Sequence, residues 1–501
     1  MWENILLGMG NTLSISNLAA LIFGSLVGLV VGILPGMGPM VGMVVLLPFT
    51  FHMPDDVALS MLLAIFCGGY FGGGVPAVLM RIPGVPSSLF TSFDGYPLTE
   101  RGESQLGLSA ILVGSFSGGV ISVIVLIFLA PLLAHVAASF GPPEYFCAAL
   151  LGVVLVIMAC RERIAQGLIL LGLGFWLATV GIDGPTLVPR FAYGTMALQN
   201  GFQIAPVCLG LFGVGQALLL LEQSILQNTS SLKLSRRTLD FSKIRVVLKY
   251  WRTIFRSGFI GTFMGLLPGP GSILASFFSY EAAKRASRRP EDFGRGTPEG
   301  CLASEAGNNA VPAGAMIPLL TLGIPGDAIS ALLLGVFTIN GIYPGPLLLI
   351  KEPVLINELY FSLLLINIAC FLILALWLRG LAMIVRMSNT LLAVLIMVTS
   401  LVGIYSINAH IFDVEVAIAM GVLGYILLRL QWPVVALVMG LVLGDILEDR
   451  LRQSLSISMG DPLVFFKRPI SLAIMIAAIL VIVVPLIRHR QKRESKASTS
   501  T

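Results

Sequence analysis

Gly32-Ile-Leu-Pro-Gly-Met-Gly-Pro39 returns later in the chain as Gly265-Leu-Leu-Pro-Gly-Pro-Gly-Ser272. Each copy lies in an apolar run and is followed by an Ile-Pro-Gly break, Ile82-Pro83-Gly84 and Ile324-Pro325-Gly326. Asp94-Gly95-Tyr96-Pro97 and Asn340-Gly341-Ile342-Tyr343-Pro344 come next. Gly and Pro free backbone N–H and C=O groups. In lipid that is tolerated only where the freed groups are buried in protein or line a polar cavity. Paired interruptions in two halves of one chain point to a binding site for something that crosses the membrane.

Composition sets the class. The 501 residues are 56% hydrophobic and 11% charged, with a mean hydropathy of +0.93. A soluble domain carries about 25% charged residues. The apolar runs are long and continuous, as at 120–133 and 470–487, unlike the alternating strands of a membrane barrel. The expected fold class is therefore an all-α polytopic membrane protein. The net charge of +5 comes from basic residues gathered in short segments between spans, which argues for topology rather than nucleic acid. Cys67, Cys147, Cys160, Cys208, Cys301 and Cys370 show no close pairing and read as small core residues. Residues 1–16 lack the basic start of a cleavable signal and are expected to be retained.

Charge also sets the sides. Residues 228–257 carry eight Lys and Arg against Asp240 alone, and by the positive-inside rule they lie in the cytoplasm. Arg161/Arg163, Arg379/Arg386 and the tail from Arg488 to Arg493 follow them. The flanks of 18–50 are acidic or neutral, whereas those of 258–283 are basic. Each interrupted run therefore returns to its own side as a broken or re-entrant hairpin, one from each face. Five spans follow the first hairpin, near 57–79, 107–134, 143–160, 164–182 and 202–222. Five follow the second, near 300–322, 357–378, 389–408, 414–430 and 432–447, and an extra C-terminal span covers 470–487.

This is an inverted-topology repeat. The expected organisation is a first membrane repeat at 1–222, a basic cytoplasmic linker at 223–257, an inverted second repeat at 258–447 and a C-terminal span with a basic cytoplasmic tail at 448–501. Arg450, Arg452, Lys467 and Arg468 fall on the external side in this count, and nearby acids offset them only in part.

The breaks supply candidate substrate-binding residues. Around the first motif these are Pro35, Gly36 and Gly38, and around the second Gly269, Gly271 and Ser272. A helix starting after such a break offers free N–H groups to an anion, and glycine admits close approach. The competing reading is a packing kink. The Ile-Pro-Gly breaks add Gly84, Ser87, Ser88, Thr91, Gly326 and Ser330, whose hydroxyls can donate to a carboxylate. Asp327 can ligate a small cation or cap the following helix.

Asn308 and Asn309, in Glu299-Gly-Cys-Leu-Ala-Ser-Glu305-Ala-Gly-Asn-Asn309, offer donors and acceptors for substrate or, with Asp327, for sodium; the alternative is interhelical hydrogen bonding. Arg81 either pairs with an anion or snorkels to the membrane surface. No phosphate loop, H-E-x-x-H or G-x-S-x-G is present. The chain is not expected to be an enzyme. The one enzymatic alternative, chemistry on a lipid-linked anion, rests on Glu299, Glu305 and the charges of 284–295.

These motifs resemble those of the large membrane subunit of the bacterial tripartite tricarboxylate transporters. The resemblance runs through Gly32–Thr50, Gly69–Gly102, Gly265–Phe278, Glu299–Pro346 and Gly444–Leu455, with Gly460-Asp461 and Arg468-Pro469 after them. It implies a secondary transporter in the bacterial inner membrane, working with a small four-span membrane subunit and a periplasmic solute-binding protein. It further implies uptake of citrate-like carboxylates driven by a sodium or proton gradient, with no cofactor. A stand-alone carboxylate permease is the alternative within transport.

Overall fold

A computed structural model gives the fold and describes residues 2–34, 37–50, 53–160, 163–184, 186–226, 242–268, 271–384 and 389–498. The described chain is helical apart from one small antiparallel pair, β1 (Gly181–Ile182) and β2 (Pro189–Arg190). Numbered over helices of eight or more residues, the first half contains α1 (Trp2–Thr12), α2 (Ile15–Ile33), α3 (Gly38–Thr50), α4 (Asp55–Met80), α5 (Leu89–Glu100), α6 (Ser104–Ala137), α7 (Pro142–Ala159), α8 (Ile164–Ala178) and α9 (Gly215–Leu226). Helix α9 is entered through Ile204–Cys208 and a π-type stretch, Leu209–Val214. The second half contains α10 (Trp251–Gly265), α11 (Gly271–Ala286), α12 (Pro298–Leu322), α13 (Ala328–Ile339), α14 (Pro353–Ile384), α15 (Asn389–Asn408), α16 (Ile411–Arg429) and α17 (Val434–Ile457), with α18 (Pro469–Ser498) after it.

Both interrupted runs are helix pairs, α2/α3 and α10/α11. The expected spans fall on α4, α6–α9, α12 and α14–α18. Three details differ. The short helix α5 follows the first Ile-Pro-Gly break, where no helix was expected, whereas α13 follows the second and is the helix that an Asp327 cap implies. The end of 164–182 leaves the helix and forms β1, because Gly181 takes a φ of +128°. Helix α17 runs past 447 to Ile457.

Among the described residues six helices are long and apolar enough to cross a membrane: Ile15–Ile33, Asp55–Met80, Ser104–Ala137, Ile204–Glu222, Pro353–Trp377 and Ile411–Arg429. Helix α12, with Glu299, Glu305, Asn308 and Asn309, is not one of them, yet it is buried from Glu299 to Thr321. Its polar groups are enclosed by neighbouring helices.

Close crossing rests on small residues spaced four apart, the means by which membrane helices pack tightly without a hydrophobic drive between them. Gly24, Gly28 and Gly32 of α2 lie on α4; a Cβ at Gly28 would stand 2.6 Å from the Ile65 carbonyl oxygen. Gly261 and Gly265 of α10 take the same spacing against α12; a Cβ at Gly265 would stand 2.7 Å from the Val311 oxygen.

The halves then exchange partners. Helix α6 packs on α12, with Ser122 Oγ donating to the Ala310 oxygen at 2.5 Å. Helix α14 packs on α2 and α4, where Ser60 and Ser362 share a hydrogen bond at 3.0 Å and Asn17 donates to Glu358 at 3.0 Å.

Two compact units result. One comprises Met1–His135 and Ala205–Leu430. The other comprises Val136–Ile204 and Gln431–Thr501. In the larger, α9 packs with α15 and α16; in the smaller, α17 packs with α7 and α8. Each trio takes two consecutive helices from one half and the last helix of the other.

The smaller unit also holds an ion-pair network. Asp183 meets Arg452 at 2.8 Å and Arg190 at 3.4 Å, and Glu448 meets both arginines at 2.6 Å. Arg468 reaches Glu144 at 2.7 Å and Lys467 reaches Asp461 at 2.6 Å. Three of the four basic residues that sat awkwardly in the charge count, Arg452, Lys467 and Arg468, are thus neutralised by neighbours. The fourth, Arg450, lies over the Tyr145 ring at 5.1 Å.

Candidate functional site

Glu305, Asn308 and Asn309 stand one turn apart on α12, so they share a face. Glu305 is fully buried and is the focus of the site. Its Oε1 accepts from Ser88 Oγ at 2.8 Å and Thr91 Oγ1 at 2.6 Å. Its Oε2 accepts from Asn309 Nδ2 at 3.1 Å and Asn308 Nδ2 at 3.4 Å. Ser88 and Thr91 come from the first-half break, where Pro86–Ser88 form a short 3-10 turn leading into α5. Gly74 of α4 leaves the space: a Cβ there would stand 3.0 Å from Oε1. Asn309 Nδ2 also reaches Ser115 Oγ on α6 at 2.9 Å, and Thr91 shares a hydrogen bond with Ser304 at 2.8 Å.

Among the described residues no cationic side chain pairs with Glu305. The amide oxygens of Asn308 and Asn309 are buried and without partners, as is Ser87 Oγ. A buried carboxylate beside orphan oxygens is an arrangement that takes up positive charge.

The second-half break is built otherwise. Asp327 caps α13: Oδ1 accepts from Ser330 N–H at 2.8 Å, and Ser330 Oγ accepts from Asp327 N–H at 2.8 Å. Its Oδ2 is buried and unpartnered, and Tyr70 of α4 lies beside Asp327 and Ser272. Each break thus presents polar groups to a helix of the other half, the first to α12 and the second to α4. Ser88, Thr91, Asn308 and Asn309 meet at Glu305, whereas Asp327, Ser330 and Ser272 group near Tyr70.

The breaks also fold back on their hairpins. Gly84 N–H donates to the Gly73 oxygen at 3.1 Å, and Gly84 packs on the carbonyl of Gly32. Gly326 packs on the carbonyl of Gly265, where a Cβ would stand 2.5 Å from the oxygen. Gly38 opens α3 at a φ of +64°, a conformation that disfavours any side chain. Gly271 opens α11 at an ordinary φ; its constraint is the Met264 oxygen, 2.9 Å from a Cβ there. Pro35, Gly36 and Gly269 lie outside the described residues.

Two other acids are structural. Asp94 Oδ1 accepts from Gly294 N–H and Gly296 N–H at 2.9 Å and Thr297 N–H at 3.0 Å, and Oδ2 accepts from Tyr280 at 2.9 Å. The Asp-Gly-Tyr-Pro motif therefore clasps the loop that leads into α12. Glu299 accepts from Thr253 at 2.7 Å and Ser287 at 3.0 Å. Arg81 ends α4 in the left-handed region, is exposed, and lies over the Tyr96 ring at 5.9 Å.

Sequence reasoning named four partners of Glu305 and left Glu305 itself off the substrate and cation sets. The signal was present in its i, i+3, i+4 spacing with two amides.

The tripartite tricarboxylate transporter TctA family description matches residues 18–439. The chain belongs to the TctA family. Two curated relatives come from Agrobacterium vitis. One, described as an uncharacterized 52.8 kDa protein in the TAR-I ttuC' 3' region, is 36% identical over 503 residues, covering 98% of each chain. The other, an uncharacterized protein in the TAR-II ttuC' 3' region, is 38% identical over 238 residues, covering 46% of this chain and 97% of its own. No solved structure matches. As a TctA-family chain this is a multi-pass membrane protein and a tricarboxylate transporter component. The Glu305 cluster lies within the matched region.

Proposed function

We propose that this TctA-family protein is the large, substrate-conducting subunit of an ion-gradient-driven importer of citrate-like carboxylates. It lies in the bacterial inner membrane with its C-terminus in the cytoplasm. It receives substrate from a periplasmic binding protein and works with a small four-span subunit. The observation that carries the reading is the Glu305 cluster between two interrupted hairpins. Holding an ionised carboxylate at membrane depth costs several kcal/mol, so Glu305 favours a bound cation or proton beside it. The orphan oxygens of Asn308 and Asn309 suit a hard cation such as sodium. Loading that charge lowers the cost of bringing a carboxylate substrate to the hydroxyls and free N–H groups of the breaks.

An inverted repeat supports alternating access. The shared crossing spacing of α2/α4 and α10/α12, the paired breaks and the exchanged helix trios fit two like halves that rock about a common site.

The test is uptake of labelled citrate into inside-negative vesicles containing this subunit and the small subunit, with and without the binding protein, under imposed sodium or proton gradients. Uptake that needs both a gradient and the binding protein is expected. Uptake with a gradient alone makes the protein a stand-alone permease. Undiminished uptake after both gradients are collapsed overturns ion coupling.

A further inference from the structure

At the basic end of the α10/α11 hairpin lies a cavity of about 820 Å³, away from the Glu305 cluster. Lys249, Arg252, Arg256, Arg288 and Arg289 line it, against the carboxylates of Asp292 and Glu299. Among the described residues none of these five cations is in an ion pair, although the molecule pairs Arg190, Arg429, Arg452 and Arg468. Glu299 is engaged by Thr253 and Ser287. Arg256 donates to Thr253 through Nη2 at 3.2 Å, but its Nε is buried and has no partner. A buried guanidinium donor left unused in a cation-lined cavity marks a place for an anion with several oxygens.

The neighbouring surface says which anion. On α10, Trp251, Phe255, Phe259 and Phe263 recur at four-residue spacing, each more than half exposed, so they form one outward stripe. Beside it a groove of about 580 Å³ runs between α10 and α11, lined by Phe259, Phe263, Phe277 and Phe278. Arg252 lies over the Trp251 ring at 5.3 Å, where the stripe meets the basic residues. Tryptophan and arginine together are typical of the membrane–water boundary. A soluble anion uses the cavity and leaves the aromatic groove idle, whereas a phospholipid uses both.

We propose that the hairpin binds an anionic phospholipid, its phosphate in the cavity of Arg252, Arg256 and Arg289 and its acyl chains along the α10/α11 groove. Basic juxtamembrane clusters recognise such headgroups in this way. The site holds the fixed end of one interrupted hairpin at the membrane surface. This assignment is independent of substrate and coupling ion.

The experiment is thermal unfolding of the purified full chain in phosphatidylcholine mixed micelles, with phosphatidylglycerol added in steps. The midpoint is expected to rise with phosphatidylglycerol. Arg252→Gln/Arg256→Gln/Arg289→Gln is expected to need roughly fivefold more of it per cation removed. Arg252→Gln/Arg289→Gln, at exposed positions, gives the same reading if loss of Arg256 prevents folding. Arg245→Gln and Arg295→Gln, outside the cavity, are the controls for general surface charge. Equal responses from cavity and control variants overturn the proposal. So does inorganic phosphate that raises the midpoint as far as phosphatidylglycerol, since the site then takes free anions.

Discussion

Glu305 receives four side-chain hydrogen bonds from two segments, so its substitutions separate stability from coupling. Glu305→Gln keeps the volume and one oxygen for Ser88 and Thr91. Its new N–H₂ can donate to an Asn308 or Asn309 oxygen once that amide turns over. Stability should stay within about 1 kcal/mol of the parent while gradient-driven accumulation of substrate is lost; uptake and thermal unfolding in the same preparation check both. Glu305→Ala strands the donors and should cost on the order of 3–5 kcal/mol. Asp94 is a different case. Asp94→Asn retains an acceptor for the three N–H groups of the clasp, whereas Asp94→Ala abandons all of them. The alanine variant should lose roughly 2–4 kcal/mol more than the asparagine variant in denaturation, with ion dependence of any residual uptake unchanged.

Helices α2 and α10 depend on having no side chain at their crossings. Valine at Gly28 or Gly261 would drive a branched carbon into the backbone of α4 or α12, because the Ile65 and Gly307 oxygens occupy its place. Each should destabilise by at least ~2–3 kcal/mol, seen as a lower unfolding temperature in detergent. Gly172 of α8 is the contrast: nothing lies within 4 Å of a Cβ there, so Gly172→Ala should leave stability unchanged or raise it by up to ~1 kcal/mol. The elements were the most legible level of this protein. Apolar run length marks a span, and Pro-Gly marks its interruption, both being local properties of the chain. Helix α5 escaped notice because it is short and begins just after a proline break, where local composition reads as loop; α13 was legible only through its cap, Asp327. The register of α2 on α4 was equally hidden, since a small residue every fourth position names no partner.

At the scale of the whole molecule, the smaller unit adds a network of charge to its close helix contacts. In the smaller, the Thr186 hydroxyl, then Arg452 and Arg190, hold the Asp183 carboxyl below its ordinary value of 3.8. The Lys467 ammonium, with a backbone N–H, does the same for Asp461. A depressed folded-state value means that the stabilisation is complete above the unfolded value and fades as pH falls through the folded one. The smaller unit should therefore hold at pH 5 and loosen below about pH 4, and Arg452→Gln should move that onset upward. Tryptophan fluorescence across an acid titration reads this, because Trp176 packs on Phe191 beside β2.

Sequence alone determined the membrane class, the two interruptions, nearly every long helix and four of the groups around Glu305. Continuous hydropathy, glycine and proline act on the chain locally, so they can be read without knowing what lies across the bundle. Only the tertiary structure decided that Ser88 and Thr91 meet Asn308 and Asn309 on one carboxylate. It also decided that Asp94 clasps a loop about 200 residues away, and that Arg452, Lys467 and Arg468 are paired. Apart from Lys467–Asp461, six residues apart, each of these joins distant segments. A hydrogen bond or ion pair forms only when packing brings both partners within about 3 Å, and one residue's place in the chain carries no record of the other.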